Sequence, residues 1–141
     1  MKKILIINSN YYIDISKSLV NSAKNFLKKN KIKVNLINVP GIFETPIVLK
    51  KNINKFDGFV VLGCVIKGET PHFDLISRST FDAILKISID YSKPVCNGII
   101  TAYNKKQAFE RCGKIKSRKL NKGLEAAKAV LSVMKNGPKK I

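Results

Sequence analysis

Hydrophobic positions along this chain come in two patterns. Short runs dense in Ile, Val and Leu stand at about 3–8 ("KILIIN"), 32–39 ("IKVNLINV"), within 56–66 ("FDGFVVLGCVI") and at about 93–101 ("KPVCNGIIT"). Between them lie longer stretches in which apolar residues return every three or four positions. The first pattern predicts strands and the second amphipathic helices, since side chains repeat every two residues along a strand and every 3.6 along a helix. "ISKSLVNSAKNFLKK" gathers Ile15, Leu19, Ala23, Phe26 and Leu27 on one helical face. A helix over "IVLKKNI" is entered through "PGIFETP", where Glu44 and Pro46 suit a first turn. The longest helix is expected at about 73–91, with Leu75, Ile76, Ala83, Ile84, Ile87 and Ile89 as its apolar positions. "NKKQAFERCG" and "LNKGLEAAKAVLSVMKN" predict two more, separated by the basic stretch "KIKSRK". Strands alternating with helices give βαβ units, hence an α/β fold around a parallel sheet; the unbroken third run predicts a strand covered on both faces.

Length and composition narrow the class. At 141 residues the chain fits one domain, 1–141, and no apolar run approaches the roughly 18 to 20 residues that span a bilayer. "MKKILIIN" has the lysines of a signal peptide but too short an apolar core and no small-residue cleavage site, so it is read as the first strand. Cys64, Cys96 and Cys112 are odd in number and widely spaced, which suggests neither a disulfide framework nor a zinc site and implies a reducing cytoplasm. The net charge of +18 raises the question of nucleic acid. Its distribution argues against it: the arginines are only Arg78, Arg111 and Arg118, and the lysines are spread along a chain also rich in Asn and Ile, residue types that share A/T-rich codons.

In parallel sheets ligands bind beyond the carboxyl ends of the strands, where the βα turns and helix N-termini gather. Four turns therefore matter: "SNYY", "PGIFE", "GCVIKGETPH" and "GIITAYN". In the third, Gly63 and Gly68 are expected to relieve backbone restrictions, Thr70 to cap the next helix and Pro71 to open it. The amides of Gly68, Glu69 and Thr70 then suit a phosphate or carboxylate, and His72, the only histidine, stands near enough to exchange protons with it. Taken singly these residues have plain alternatives. His72 is equally a surface residue at a helix start, Tyr11 and Tyr12 a cover for the sheet edge, Glu44 a complement to a helix dipole, and Arg111 one half of a surface ion pair.

Together, "VPGIFETPIVLKK", "FDGFVVLGCVIKGETPHFD", "KPVCNGIIT", "QAFERCG" and "NKGLEAA", in register from about 3 to about 135, resemble the 6,7-dimethyl-8-ribityllumazine synthase family of riboflavin biosynthesis. The resemblance implies a three-layer flavodoxin-like fold, a four-stranded parallel sheet flanked by helices, assembled as a homopentamer with each active site shared by two subunits. It implies the condensation of 5-amino-6-(D-ribitylamino)uracil with 3,4-dihydroxy-2-butanone 4-phosphate, releasing phosphate and water, with no metal or organic cofactor; charge distribution and the short apolar runs already argue against nucleic acid and membrane as partners. By position, Tyr11 corresponds to the aromatic that stacks on the pyrimidinedione, and Ile42, Phe43 and Glu44 to the ribityl pocket. Cys64, Val65 and Ile66 lead to the phosphate turn of Gly68, Glu69 and Thr70. His72 corresponds to the proton-transfer residue, Arg111 to the phosphate-binding arginine of the adjacent subunit, and Asn97 and Lys122 to further substrate-side positions.

The sequence also departs from the family pattern. Many members carry an aromatic residue at the place of Asn97, and Asn10 and Tyr12 replace an arginine and an asparagine in the first loop. The chain starts almost at its first strand, and "GKIKSRKLNKG" is longer than the link in members that build sixty-subunit shells; both features imply a free pentamer or a decamer. An archaeal-type riboflavin synthase, which shares this ancestry, and a non-catalytic flavin-binding module are the alternative readings.

Overall fold

The computed structural model describes residues 1–115 and 120–141, so the middle of the "GKIKSRKLNKG" segment, with Arg118, lies outside the described residues. Four parallel strands, β1 (Lys3–Ser9), β2 (Lys33–Val39), β3 (Gly58–Ile66) and β4 (Val95–Ala102), form a sheet in the order β2-β1-β3-β4. After β1 the chain goes outward to β2, then crosses back to β3 on the other side. That reversal between β1 and β3 is the switch point at which open α/β sheets place a crevice.

Alternate strand residues feed two cores. Ile4, Ile6, Val60, Leu62 and Ile100 meet α1 (Ile13–Lys29), α4 (Lys105–Arg111) and α5 (Lys122–Lys135), with Leu19, Ala23, Leu27, Ala127 and Val130 buried against them. Leu5, Ile7, Phe59, Val61 and Ile99 face the opposite way, toward α2 (Thr45–Asn52) and α3 (His72–Tyr91), where Leu49 and Ile84 close the layer. The expected strands and helices are all present, with ends displaced by one or two residues. The central β3 is buried from Gly58 to Cys64, as its continuous apolar run predicts.

Small residues permit close approach at two places. A Cβ on Gly123 would run into the Leu19 carbonyl, so α5 lies against α1 only because that position is glycine. A Cβ on Gly63 would stand 2.9 Å from Cβ of Ser9, so β3 and β1 also meet tightly at the switch point. The expectation that Gly63 and Gly68 serve unusual backbone angles is corrected: among the described residues Gly113 (φ 82°) is the positive-φ glycine, Gly63 is needed for space, and the Cβ position of Gly68 is open. The apolar positions of α3 also divide differently from a simple core face. Ile84 is buried, Ile76 and Ile87 are half-buried, and Leu75 and Ile89 are exposed. The inward stripe instead includes Ser77 and Thr80.

Among the described residues, no helix is long and apolar enough to cross a membrane.

Candidate active site

The crevice at the switch point is a cavity of about 490 Å³, a size that suits a small-molecule ligand. Three βα turns build it. Tyr11 and Tyr12 come from the end of β1, Pro40 to Ile42 and Glu44 from the end of β2, and Cys64 to Ile66 with Gly68 and Thr70 from the end of β3; His72, Phe73 and Ile76 follow on α3.

Each wall has a local cause. Tyr11 is 72% exposed, and its ring meets that of Tyr12 in a T-shaped contact, with centroids 5.0 Å apart and planes at 77°, which leaves at least one face of the Tyr11 ring free of Tyr12. Ile42–Glu44 is a single 3-10 turn, and the buried Thr45 hydroxyl donates to the Ile42 carbonyl at 2.7 Å, locking the entry to α2. Gly41 leaves room for the Glu44 carboxylate, because a Cβ there would lie 3.1 Å from its Oε1. Burial holds the Tyr12 phenol above its ordinary pKa, with Cys64 and Tyr11 adding to the rise. Burial likewise pushes the Cys64 thiol up to about 12, with Cys112 contributing, so this cysteine contributes shape rather than a nucleophile at neutral pH.

The helix cap falls one residue later than expected, on Pro71 instead of Thr70. Pro71 occupies the cap, its carbonyl accepting from the Leu75 N–H at 3.1 Å, and His72 is the first helical residue. A proline ring here fits because a cap position needs no N–H of its own. Thr70 sits just outside, where its hydroxyl oxygen accepts a long 3.5 Å contact from the His72 N–H.

The candidate residues fall into two groups. Tyr11, Ile42, Glu44, Cys64, Val65, Ile66, Gly68, Thr70 and His72 share the switch-point cavity. Phe43 lies just outside it, in a shallow hollow with Glu44, His72 and Leu75. Glu69 is exposed and is not among the residues lining these hollows. Asn97, Arg111 and Lys122 meet in another hollow, of about 360 Å³, beside β4 and the start of α5. His72 does not line that hollow, whereas Arg111 also lines a neighbouring one with Phe73, the residue that follows His72 and shares its cavity.

This second group is also prepared by local structure. Asn104 caps α4 by accepting from the Gln107 N–H at 2.9 Å, and the Gln107 side chain accepts from the Tyr103 N–H at 2.8 Å, a reciprocal arrangement that fixes the helix carrying Arg111. Arg111 Nη1 donates to the Gln107 carbonyl at 3.1 Å and lies 4.0 Å from a Glu110 carboxylate oxygen, which leaves most of its fork unused. Asn121 caps α5 by accepting from the Leu124 N–H at 3.0 Å, while its amide donates to the Cys112 carbonyl at 2.9 Å, so Lys122 starts its helix from a fixed point. Asn97 Oδ1 accepts from the Ile99 N–H at 2.9 Å, satisfying a free amide on the edge strand and leaving the Asn97 NH₂ as a donor.

Sequence reasoning missed Pro40, Gly41, Phe73 and Ile76 as cavity walls. The signal was available: Phe73 and Ile76 follow His72 by one and four residues, and "PG" directly ends β2.

Residues 1–136 match the family described as 6,7-dimethyl-8-ribityllumazine synthase. Curated relatives of that name agree. The protein of Campylobacter curvus (strain 525.92) is 39% identical over 138 residues, covering 94% of this chain and 86% of the relative. That of Campylobacter jejuni subsp. doylei is 42% identical, with 94% and 87% covered, and that of Afipia carboxidovorans is 34% identical, with 94% and 84% covered. Since the match extends from the first strand through the last helix, the chain belongs to the 6,7-dimethyl-8-ribityllumazine synthase family.

Proposed function

We propose that this chain condenses 5-amino-6-(D-ribitylamino)uracil with 3,4-dihydroxy-2-butanone 4-phosphate to form 6,7-dimethyl-8-ribityllumazine, a step of riboflavin biosynthesis. The observation that carries the reading is the switch-point cavity, where an open tyrosine face, a carboxylate and a lone imidazole converge. Tyr11 stacks on the pyrimidinedione, and Glu44, with Ile42 and Phe43, receives the ribityl chain. The turn of Gly68, Glu69 and Thr70 faces the phosphate.

The chemistry assigns the protons. Imine formation needs proton transfer between amine, carbonyl oxygen and departing water, and loss of phosphate needs a proton taken from carbon. His72 serves both steps from the cavity wall. Arg111 neutralises the departing dianion, and its free N–H groups match phosphate oxygens. Holding two substrates in register supplies much of the remaining acceleration, about 7 to 11 kcal/mol in well-oriented systems.

Arg111, Asn97 and Lys122 line a hollow that His72 does not, and following the family resemblance we assign Arg111 to the His72 cavity of the adjacent subunit. We assign a homopentamer, free or paired as a decamer, acting in the cytoplasm. The exposed Phe43, Leu75, Leu85 and Ile89 supply apolar surface for that contact.

The deciding experiment incubates purified protein with both substrates and follows lumazine fluorescence. Product formation is expected; riboflavin appearing from lumazine alone would overturn the assignment. His72→Ala should lower kcat by about 10²- to 10⁴-fold, and Arg111→Ala should chiefly raise KM for the phosphate substrate. Mixing the two impaired variants under subunit exchange, at a phosphate-substrate concentration limiting for Arg111→Ala, should raise activity above that of either alone if sites are shared, and no gain would place each site within one subunit.

A further inference from the structure

The imidazole assigned to proton transfer opens a helix that is weakly fastened at its start. Pro71 offers no side-chain cap, the contact from the His72 N–H to Thr70 is long, and residues 67–72 are exposed throughout. Beside this turn stands a cluster with no role so far. The Phe73 and Tyr103 rings are 6.3 Å apart at 43°, and the Lys67 ammonium lies 5.3 Å from the centre of the same Tyr103 ring. Both separations are in the range where such groups attract. The backbone on either side is anchored. The Lys67 N–H donates to the Ala102 carbonyl at 2.9 Å, and the Tyr103 N–H to Gln107 Oε1 at 2.8 Å. One side chain beyond β3, one beyond β4 and the second residue of α3 are therefore joined, spanning the turn assigned to phosphate.

We propose that Tyr103 is a positioning residue for His72. Fixed by Lys67 and by its bond to Gln107, its ring backs Phe73 and sets the first turn of α3, and with it the imidazole, at the cavity wall. Phe73 lines both the His72 cavity and the neighbouring hollow that contains Tyr103 and Arg111, so it transmits the contact directly. The rate prediction rests on the lumazine-forming reading; the placement of the imidazole does not.

Because the chain has one histidine, ¹⁵N-histidine labelling of tag-free protein reports on His72 alone. Tyr103→Ala is expected to move the imidazole signals, and to lower kcat about tenfold with KM changed less than about twofold, as displacement of a reacting group does. Tyr103→Phe, which keeps the ring, should preserve both signals and rate. Adding Lys67→Ala to Tyr103→Ala should cost nothing further, since both act through one cluster. Unmoved imidazole signals in folded Tyr103→Ala protein would overturn the proposal, as would a Tyr103→Phe variant as slow as the alanine. Should Tyr103→Ala not fold, Lys67→Met replaces it with the same two readouts: shifted imidazole signals and a lower kcat support the positioning role, and unmoved signals overturn it. Absence of lumazine from the parent as well would reject the functional reading, while the imidazole signals would still decide the positioning role.

Discussion

On one face of the sheet, α1 and α5 close over Ile4, Ile6, Val60, Leu62 and Ile100, and the helix residues that meet them are shut off from solvent. On the other, α2 and α3 cover Leu5, Ile7, Phe59, Val61 and Ile99 but leave Ile47, Leu75, Leu85 and Ile89 exposed, and they bury Ser77 and Thr80 with hydroxyls that have no partner among the described residues. The first face leaves fewer large apolar side chains exposed, Ile13 of α1 and Val133 of α5 among the described residues. The second carries apolar side chains to solvent and polar ones inward, against the usual economy of a monomer. Its surplus is explained if another copy covers it, and the cavity with His72 borders the same face.

Four experiments test how deep that contrast goes. The largest effect belongs to the closed face: Leu19→Ala should destabilise the fold by about 2 to 5 kcal/mol in urea titration, because Leu19 is fully buried and the rigid contact of α1 with α5 at Gly123 limits collapse into the gap. A loss below about 1 kcal/mol would show that this face is looser than it looks. On the open face, Leu85→Glu combined with Ile89→Glu keeps good helix formers at exposed positions, so the secondary structure should persist while sedimentation shows smaller particles. Unchanged particle size would remove these residues from the subunit contact.

Alkali provides a smaller test of the closed face. Burial raises the Cys64 thiol from 9.0 to about 12, so the unfolded chain gives up this proton first. Its stabilising contribution is whole below pH 9 and declines as pH rises from 9 toward 12. Cys64→Ala should flatten that part of the stability profile, and an equally steep decline would assign it to other groups. The least change is expected from Thr80→Val, which replaces an unpartnered buried hydroxyl with a methyl of similar shape. It should be neutral or stabilising by up to about 1 kcal/mol in the same titration, whereas a clear loss would reveal a partner for the hydroxyl.

The legibility of the sequence follows the same division. The strands and α1 could be read directly, because β-branched runs and a clean 3.6-residue stripe state both period and burial. The inward positions of α3 could not, since Ser77 and Thr80 break its apolar stripe while Leu75 and Ile89 point to solvent. Of the site, the turns after β1, β2 and β3 were legible because topology alone gathers them. The hollow that Arg111 shares with Asn97 and Lys122 follows from where α4 packs, which no local pattern encodes. The Lys67, Phe73 and Tyr103 cluster escaped notice because its members lie far apart in sequence and look ordinary singly.

Asn121 has one more consequence. Since it starts α5 and also grips the Cys112 carbonyl, Asn121 ties the first turn of α5 to the end of α4 by two bonds of its own. Asn121→Ala would therefore loosen the seat of Lys122 even with every other residue of the chain unchanged.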